Sequence, residues 1–182
     1  MIDVVIEVRI AQVPFATVMD DVHFPALLAA YTAECLIPDA EPQRAIYEGM
    51  HQAGVIKCFA AYADDGLSCP FLIGFCSVLT AVMPHDGHKV ATIESLFVGA
   101  DYRETGAGNL LLAAARDIAV KTDCRLIHYN ARIGSRLDKV LSRRAGCQLT
   151  HNVYTEWLVD QPRNPQAASV WSVEEDRSCL NP

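Results

Sequence analysis

Ile93-Glu94-Ser95-Leu96-Phe97-Val98-Gly99-Ala100-Asp101-Tyr102-Arg103-Glu104-Thr105-Gly106-Ala107-Gly108-Asn109-Leu110-Leu111-Leu112 reads as a strand, a tight loop and the start of a helix. Val98 closes an apolar, β-branched run that Gly99 and Asp101 break. From Ala107 onward, Leu110, Leu111, Ala114, Ala115 and Ile118 recur at helical spacing, which predicts one apolar face up to Lys121. Between the two lies Arg103-x-x-Gly106-x-Gly108. Two glycines at the mouth of a helix let backbone come close to a ligand, and the helix's first N–H groups point outward at an anion. Such an arrangement suits a pyrophosphate. Taken alone, Gly-x-Gly after a strand also describes a tight turn that simply needs glycine.

The full string is more specific. Leu96-Phe97-Val98, four residues, Arg103-x-x-Gly106-x-Gly108 and then Leu110-Leu111 resembles the acyl-CoA-binding signature of the GNAT N-acetyltransferase superfamily. The resemblance covers Val4 to Val159 and implies an α/β (α+β) fold: a mixed, mostly antiparallel sheet of six to seven strands with helices on both faces. In that fold the fourth and fifth strands splay apart. The implied cofactor is acetyl-CoA, without a metal. Its pyrophosphate would lie on Arg103, Glu104, Thr105, Gly106, Ala107, Gly108 and Asn109, and its pantetheine arm along Leu96, Phe97 and Val98. The resemblance also places a backbone N–H near Phe97 or Val98 against the thioester carbonyl. It gives Asn130 to the pantetheine or to the splay, and Arg132, Arg136 and Lys139 to the 3′-phosphate. Many members carry glycine directly after the arginine, where this chain has Glu104.

Acyl transfer to an amine also needs a base. An amine of pKa near 10.4 is neutral in about one molecule in 2500 at pH 7, a penalty of roughly 4.6 kcal/mol. Glu94 is the candidate, an ionisable residue in an otherwise apolar strand, two residues before Leu96 and by alternation on its face. The competing reading pairs Glu94 at a strand end. Many GNAT enzymes place an acidic tyrosine four residues before the glycine that ends the last helix; counting back from Gly146, that position is Ser142. Ser142 is therefore the candidate acid, with Tyr154 or solvent as substitutes. His128 shares the Asn130 face of its strand, where it lines the cleft or sits satisfied in the core.

Composition narrows the class. Of 182 residues, 51% are hydrophobic and 20% charged, which fits one soluble domain with a full core. A net charge of −7 argues against a nucleic-acid surface. The cysteine count is odd, 7, with no Cys-x-x-Cys, which fits buried thiols in a reducing compartment and hence a cytoplasmic protein. No apolar run reaches membrane-spanning length, so no membrane partner is expected.

The remaining elements follow from local signals. Val4 to Ile10 reads as a first strand, and Phe24 to Leu36 as a helix with Pro25 in its first turn. A second helix is expected after an Asp39 cap, ending at Gly54. The resemblance puts this pair over the acceptor, with Tyr31, Tyr47, Glu48 and His51 as candidate contacts. Ile56 to Ala63 and Phe71 to Ala81 form a hairpin about Asp64-Asp65-Gly66. His85, Asp86 and His88 sit in a Pro/Gly turn and are read as that rather than as a metal site. Arg125 to Ala131 is a strand, Ser135 caps a short helix, and Cys147 to Val159 holds two further strand-like pieces. The domain is thus 1–159, followed by a tail over 160–182. Trp171 is suited to pinning that tail, on this chain or in a homodimer.

The acceptor, a small-molecule or protein amine, is not named by the sequence. Two other classes compete with the enzyme: a regulatory acyl-CoA-binding protein without turnover, and a dinucleotide-binding module. The third glycine that a dinucleotide fingerprint needs is replaced by Leu111.

Overall fold

The computed structural model describes residues 6–35, 41–66 and 69–150. Its centre is one five-stranded sheet in the order β1 (Glu7–Val13), β2 (Ile56–Asp64), β3 (Phe71–Val82), β4 (Lys89–Val98) and β5 (Leu126–Tyr129). Neighbours run antiparallel except β4 and β5, which are parallel. Gly66 N–H bonds to the Asp64 carboxylate (2.8 Å) in the β2–β3 turn, and His88 N–H bonds to Asp86 (2.9 Å) in the β3–β4 turn.

Helix α4, the fourth in the chain (Ala107–Lys121), covers one face of the sheet. Ala107, Leu111, Ala115 and Ala119 repeat every four residues, all buried against Ile73, Ala91, Ile93 and Val98. The small side chains let the helix lie close to the strands. The other face is covered by α1 (Phe15–Met19), α2 (Phe24–Cys35) and α3 (Arg44–Gln52). There Phe75 is the hub, with the rings of Phe15, Phe24, Tyr31 and Phe97 between 5.7 and 6.2 Å from its own. Each of the buried phenylalanine rings contributes about 1.5–3 kcal/mol through burial.

The described residues hold five strands, not six or seven. Residues 147–150 are irregular, and the rest of the expected final pair lies outside the described residues, as do Asp39 and the tail. Helix α1 was not anticipated: Phe15 and Val18 bury one side of a single five-residue turn that follows Pro14 without a capping side chain. The first strand runs to Val13 rather than Ile10, because its partners on β2 continue to Cys58.

Gly74 is required by a close approach rather than by a turn. A Cβ there would stand 2.6 Å from the Phe97 carbonyl oxygen and 3.1 Å from Val98 Cγ2. Gly74→Ala is expected to destabilise the fold by about 1–3 kcal/mol, because β4 must shift to admit the methyl group. Chemical denaturation reads this directly; an unchanged midpoint would show that β4 yields freely.

Candidate active site

Strand β5 pairs with β4 only from Val90 to Ile93. Just beyond it, Asn130 donates its side-chain N–H to the Ile93 carbonyl (3.2 Å), and from Glu94 to Val98 only β3 flanks β4 among the described residues. Peptide groups of that stretch that face away from β3 have no strand to pair with and are available to an amide-bearing ligand. Asn130 thus marks where the two strands part. His128, on the same strand, is exposed and not a core residue.

The register between β3 and β4 passes from Val78–Ile93 to Ser77–Ser95, so Glu94 is an extra, unpaired residue. This bulge reverses the expected alternation. Leu96 packs with Ile93 and Val98 toward α4, whereas Phe97 joins the opposite core and Glu94 turns toward α3. Glu94 and Leu96 therefore lie on opposite faces, not the same one.

Three hydroxyls organise the Glu94 carboxylate. Ser77 donates to Oε2 at 2.9 Å, and Tyr47 donates to the same oxygen at 3.2 Å. Ser77 Oγ also bonds to Ser95 Oγ, and both serines are buried. The single Ser77 proton is committed to Glu94, so Ser95 must donate to Ser77. Oε1 has no hydrogen-bond partner among the described residues, and the residue is exposed. Tyr47 is held by stacking on Phe15, with ring centroids 4.1 Å apart. Burial, then the nearby Glu94 charge, pushes its phenol above the ordinary tyrosine range, so it remains a neutral donor. Burial acts likewise on Tyr31, and the Cys58 thiol is pushed up to about 12 by burial and then by Glu94. Of the other α-helical candidates, Tyr31 sets its ring edge-on to Phe97, Glu48 pairs with Arg44 (3.7 Å), and His51 lines a small cavity beside Tyr47. The serine pair was not foreseen; two hydroxyls in adjacent apolar strands were the available signal.

After β4 the chain makes a 3-10 turn over Ala100–Thr105, which Thr105 closes by donating to the Tyr102 carbonyl (2.7 Å). Gly106 then takes φ +86°, a conformation that disfavours any side chain, and heads α4. No side chain caps α4 well: Ala107 N–H has only a 3.4 Å contact with Thr105 Oγ1, and Leu110 N–H bonds to the Gly106 carbonyl at 3.1 Å. Among the described residues nothing accepts from the N–H groups of Gly108 and Asn109, which leaves them for an external acceptor. A Cβ on Gly108 would meet nothing nearer than Val98 Cγ2 at 4.0 Å, so internal packing does not demand glycine there. Open space over free amides at a helix N-terminus fits a diphosphate.

The loop side chains divide. Ala107 is fully buried under the helix and offers only its amide, while Asn109 is exposed. Glu104 points to α5 (Arg136–Leu141), where Arg136 holds its carboxylate at 2.8 Å. Arg103 does not extend over the α4 N-terminus: Nε donates to the Val98 carbonyl (3.1 Å) and the guanidinium pairs with Glu34 of α2. Ser135 caps α5 by accepting from Asp138 N–H, but the helix stops at Leu141. Ser142 is its C-cap residue, and its hydroxyl donates to the Lys139 carbonyl (3.1 Å), with no hydrogen bond to the Glu94 network.

Solved structures share this architecture. A ribosomal-protein-alanine N-acetyltransferase from Brucella melitensis biovar Abortus 2308 is 21% identical, with a TM-score of 0.60 over 82% of this chain and 98% of that one. The aminoglycoside N-acetyltransferase AAC(6')-Iy, in complex with CoA, is 19% identical, with a TM-score of 0.64 over 86% and 98%. Glucosamine-6-phosphate N-acetyltransferase from Arabidopsis thaliana is 13% identical, with a TM-score of 0.64 over 84% and 99%. These likenesses establish the fold. No curated protein matches the chain in sequence. The profile of the acetyltransferase (GNAT) family matches residues 24–136, more than half of the chain and all of the site just described except Phe15 and α5 beyond Arg136 with Ser142. On that match the chain belongs to the GNAT acetyltransferase family.

Proposed function

We propose that this protein transfers an acetyl group from acetyl-CoA to a primary amine by direct attack, with no covalent enzyme intermediate. The observation that carries the reading is the adjacency, along one strand and its turn, of three features of the described residues: a carboxylate with one oxygen unpartnered, β4 peptide groups without a second flanking strand, and an α4 N-terminus with only a long side-chain contact. When bound, acetyl-CoA supplies the thioester electrophile. Gly106, Gly108 and Asn109 would hold its diphosphate through backbone amides, with Thr105 and Ala107 shaping the loop. The Leu96–Val98 stretch would grip the arm, and a β4 N–H near Phe97 or Val98 would stabilise the developing oxyanion. Holding two reactants in register supplies roughly 7–11 kcal/mol of the barrier.

Glu94 Oε1 is the base, with Ser77 and Tyr47 fixing the carboxylate through Oε2. Expelling thiolate rather than thiol costs only about 2 kcal/mol at pH 7. Solvent, or Ser142 through water, therefore suffices as the acid. The related structures named above act on a protein amine, aminoglycosides and an amino sugar, and all three acceptor types suit an exposed carboxylate between α3 and β4. Ser142 standing where the family places a stronger acid favours one competing reading, an acyl-CoA-binding regulatory protein.

Titration calorimetry with CoA, followed by acetyl-CoA incubation with a panel of amines, separates the two. Saturable CoA binding and amine-dependent release of free thiol are expected. Binding without turnover would favour the regulatory protein, and no CoA binding would overturn both.

A further inference from the structure

Arg103 makes three contacts at once, and none is with the loop amides. Its Nε donates to the Val98 carbonyl (3.1 Å), its guanidinium lies over the Phe97 ring at 5.5 Å, and Nη2 pairs with the Glu34 carboxylate. Only a quarter of the side chain is exposed, against half for Glu34. The same Phe97 ring is met edge-on by Tyr31, one helical turn before Glu34 on α2. Phe97 is thus held between α2 and the turn that follows its own strand, and Arg103 closes the circuit. A planar guanidinium can stack and fork at the same time, which an ammonium cannot.

We propose that Arg103 is a positioning residue that locks α2 to the end of β4, so that the acceptor-side helix and the acyl-bearing strand keep one relative position. The proposal rests on the acetyl-transfer reading above, and deepens it by assigning Arg103 to the acceptor side rather than to the cofactor's phosphates. Glu34 is its obligatory partner. The lock adds nothing to the amide cup at Gly106–Asn109, because that cup is made of backbone.

Three variants test the assignment in the full chain: Arg103→Met, which keeps an apolar stem without the guanidinium; Arg103→Lys, which keeps the stem and the charge but not the planar fork; and Glu34→Gln. Calorimetry on the unaltered protein comes first, since absence of CoA binding there refutes the acetyl-transfer reading and with it this proposal's premise. Given that binding, Arg103→Met and Glu34→Gln are each expected to raise KM for the amine that the unaltered protein turns over fastest in the panel at least fivefold while changing Kd for CoA less than twofold. The double variant should be no worse than the weaker single, because either change opens the lock. Arg103→Lys should recover only part of the loss. A tenfold weakening of CoA binding in Arg103→Met with Glu34→Gln unaffected would make Arg103 a phosphate ligand and overturn the proposal. Strictly multiplicative effects of the two changes would overturn it as well. Should Arg103→Met fail to fold, the half-exposed Glu34→Gln decides alone through the same split between amine KM and CoA Kd.

Discussion

Glu94→Gln is expected to lower kcat/KM for the amine by about 10²–10⁴-fold at pH 7, the range that a positioned base supplies. The amide oxygen can still accept from Ser77 and Tyr47, so folding should be little altered. The pH profile carries the sharper test. With the carboxylate present, an ammonium that reaches the site can be deprotonated there, and the rate is nearly flat between neutrality and the amine's own pKa. Without it only the neutral amine reacts, and the rate climbs tenfold per pH unit toward about 10.4. The deficit should therefore be greatest near pH 7 and shrink as pH rises. Parallel profiles for the two proteins would remove Glu94 from the role of base.

Gly108→Asp should have effects of opposite sign on folding and binding. Gly108 is in the first turn of α4, has room for a side chain, and has a helical backbone rather than a left-handed one. A carboxylate near a helix N-terminus contributes about 0.3–1 kcal/mol of stability, and replacing glycine inside a helix adds a few tenths more. The melting temperature should rise or hold. The same charge would occupy the place proposed for the diphosphate, and CoA affinity should fall at least 100-fold. A variant that is less stable yet binds CoA normally would move the phosphate site elsewhere.

Much of this site was legible in the chain because its signals are local. Gly106, Gly108 and the apolar repeat from Leu110 to Ile118 fix a strand–turn–helix unit within thirty residues, and α4 runs from Ala107 to Lys121 as that repeat predicts, although Leu110, expected on the apolar face, is exposed and Leu112 and Ala119 are buried instead. Ser135 and the turn glycines were readable for the same reason. The bulge at Glu94 was not, since strand alternation carries no mark of an inserted residue; only the β3 register reveals it. The resemblance alone gives Arg103 to the pyrophosphate, and its pairing with Glu34, 69 residues away in sequence, leaves no local mark. Glu104 was a discrepancy until α5 brought Arg136 against it. Helix α1 escaped because five residues are too few for periodicity to register. What local chemistry determines could be read, and what a distant partner determines could not.

The bond from Asn130 to Ile93 has one more consequence. Five residues separate that point from the end of β4, roughly 16 Å of extended backbone at about 3.3 Å per residue. On the proposed reading, that open length would be a ruler between the phosphate cup and the reacting carbon, with Asn130 as its zero mark. A slip of β5 by a single register step would change the ruler by about 3.3 Å, more than the tolerance of bond formation. On that reading a four-residue strand, by where it stops, would set the reach of the whole site.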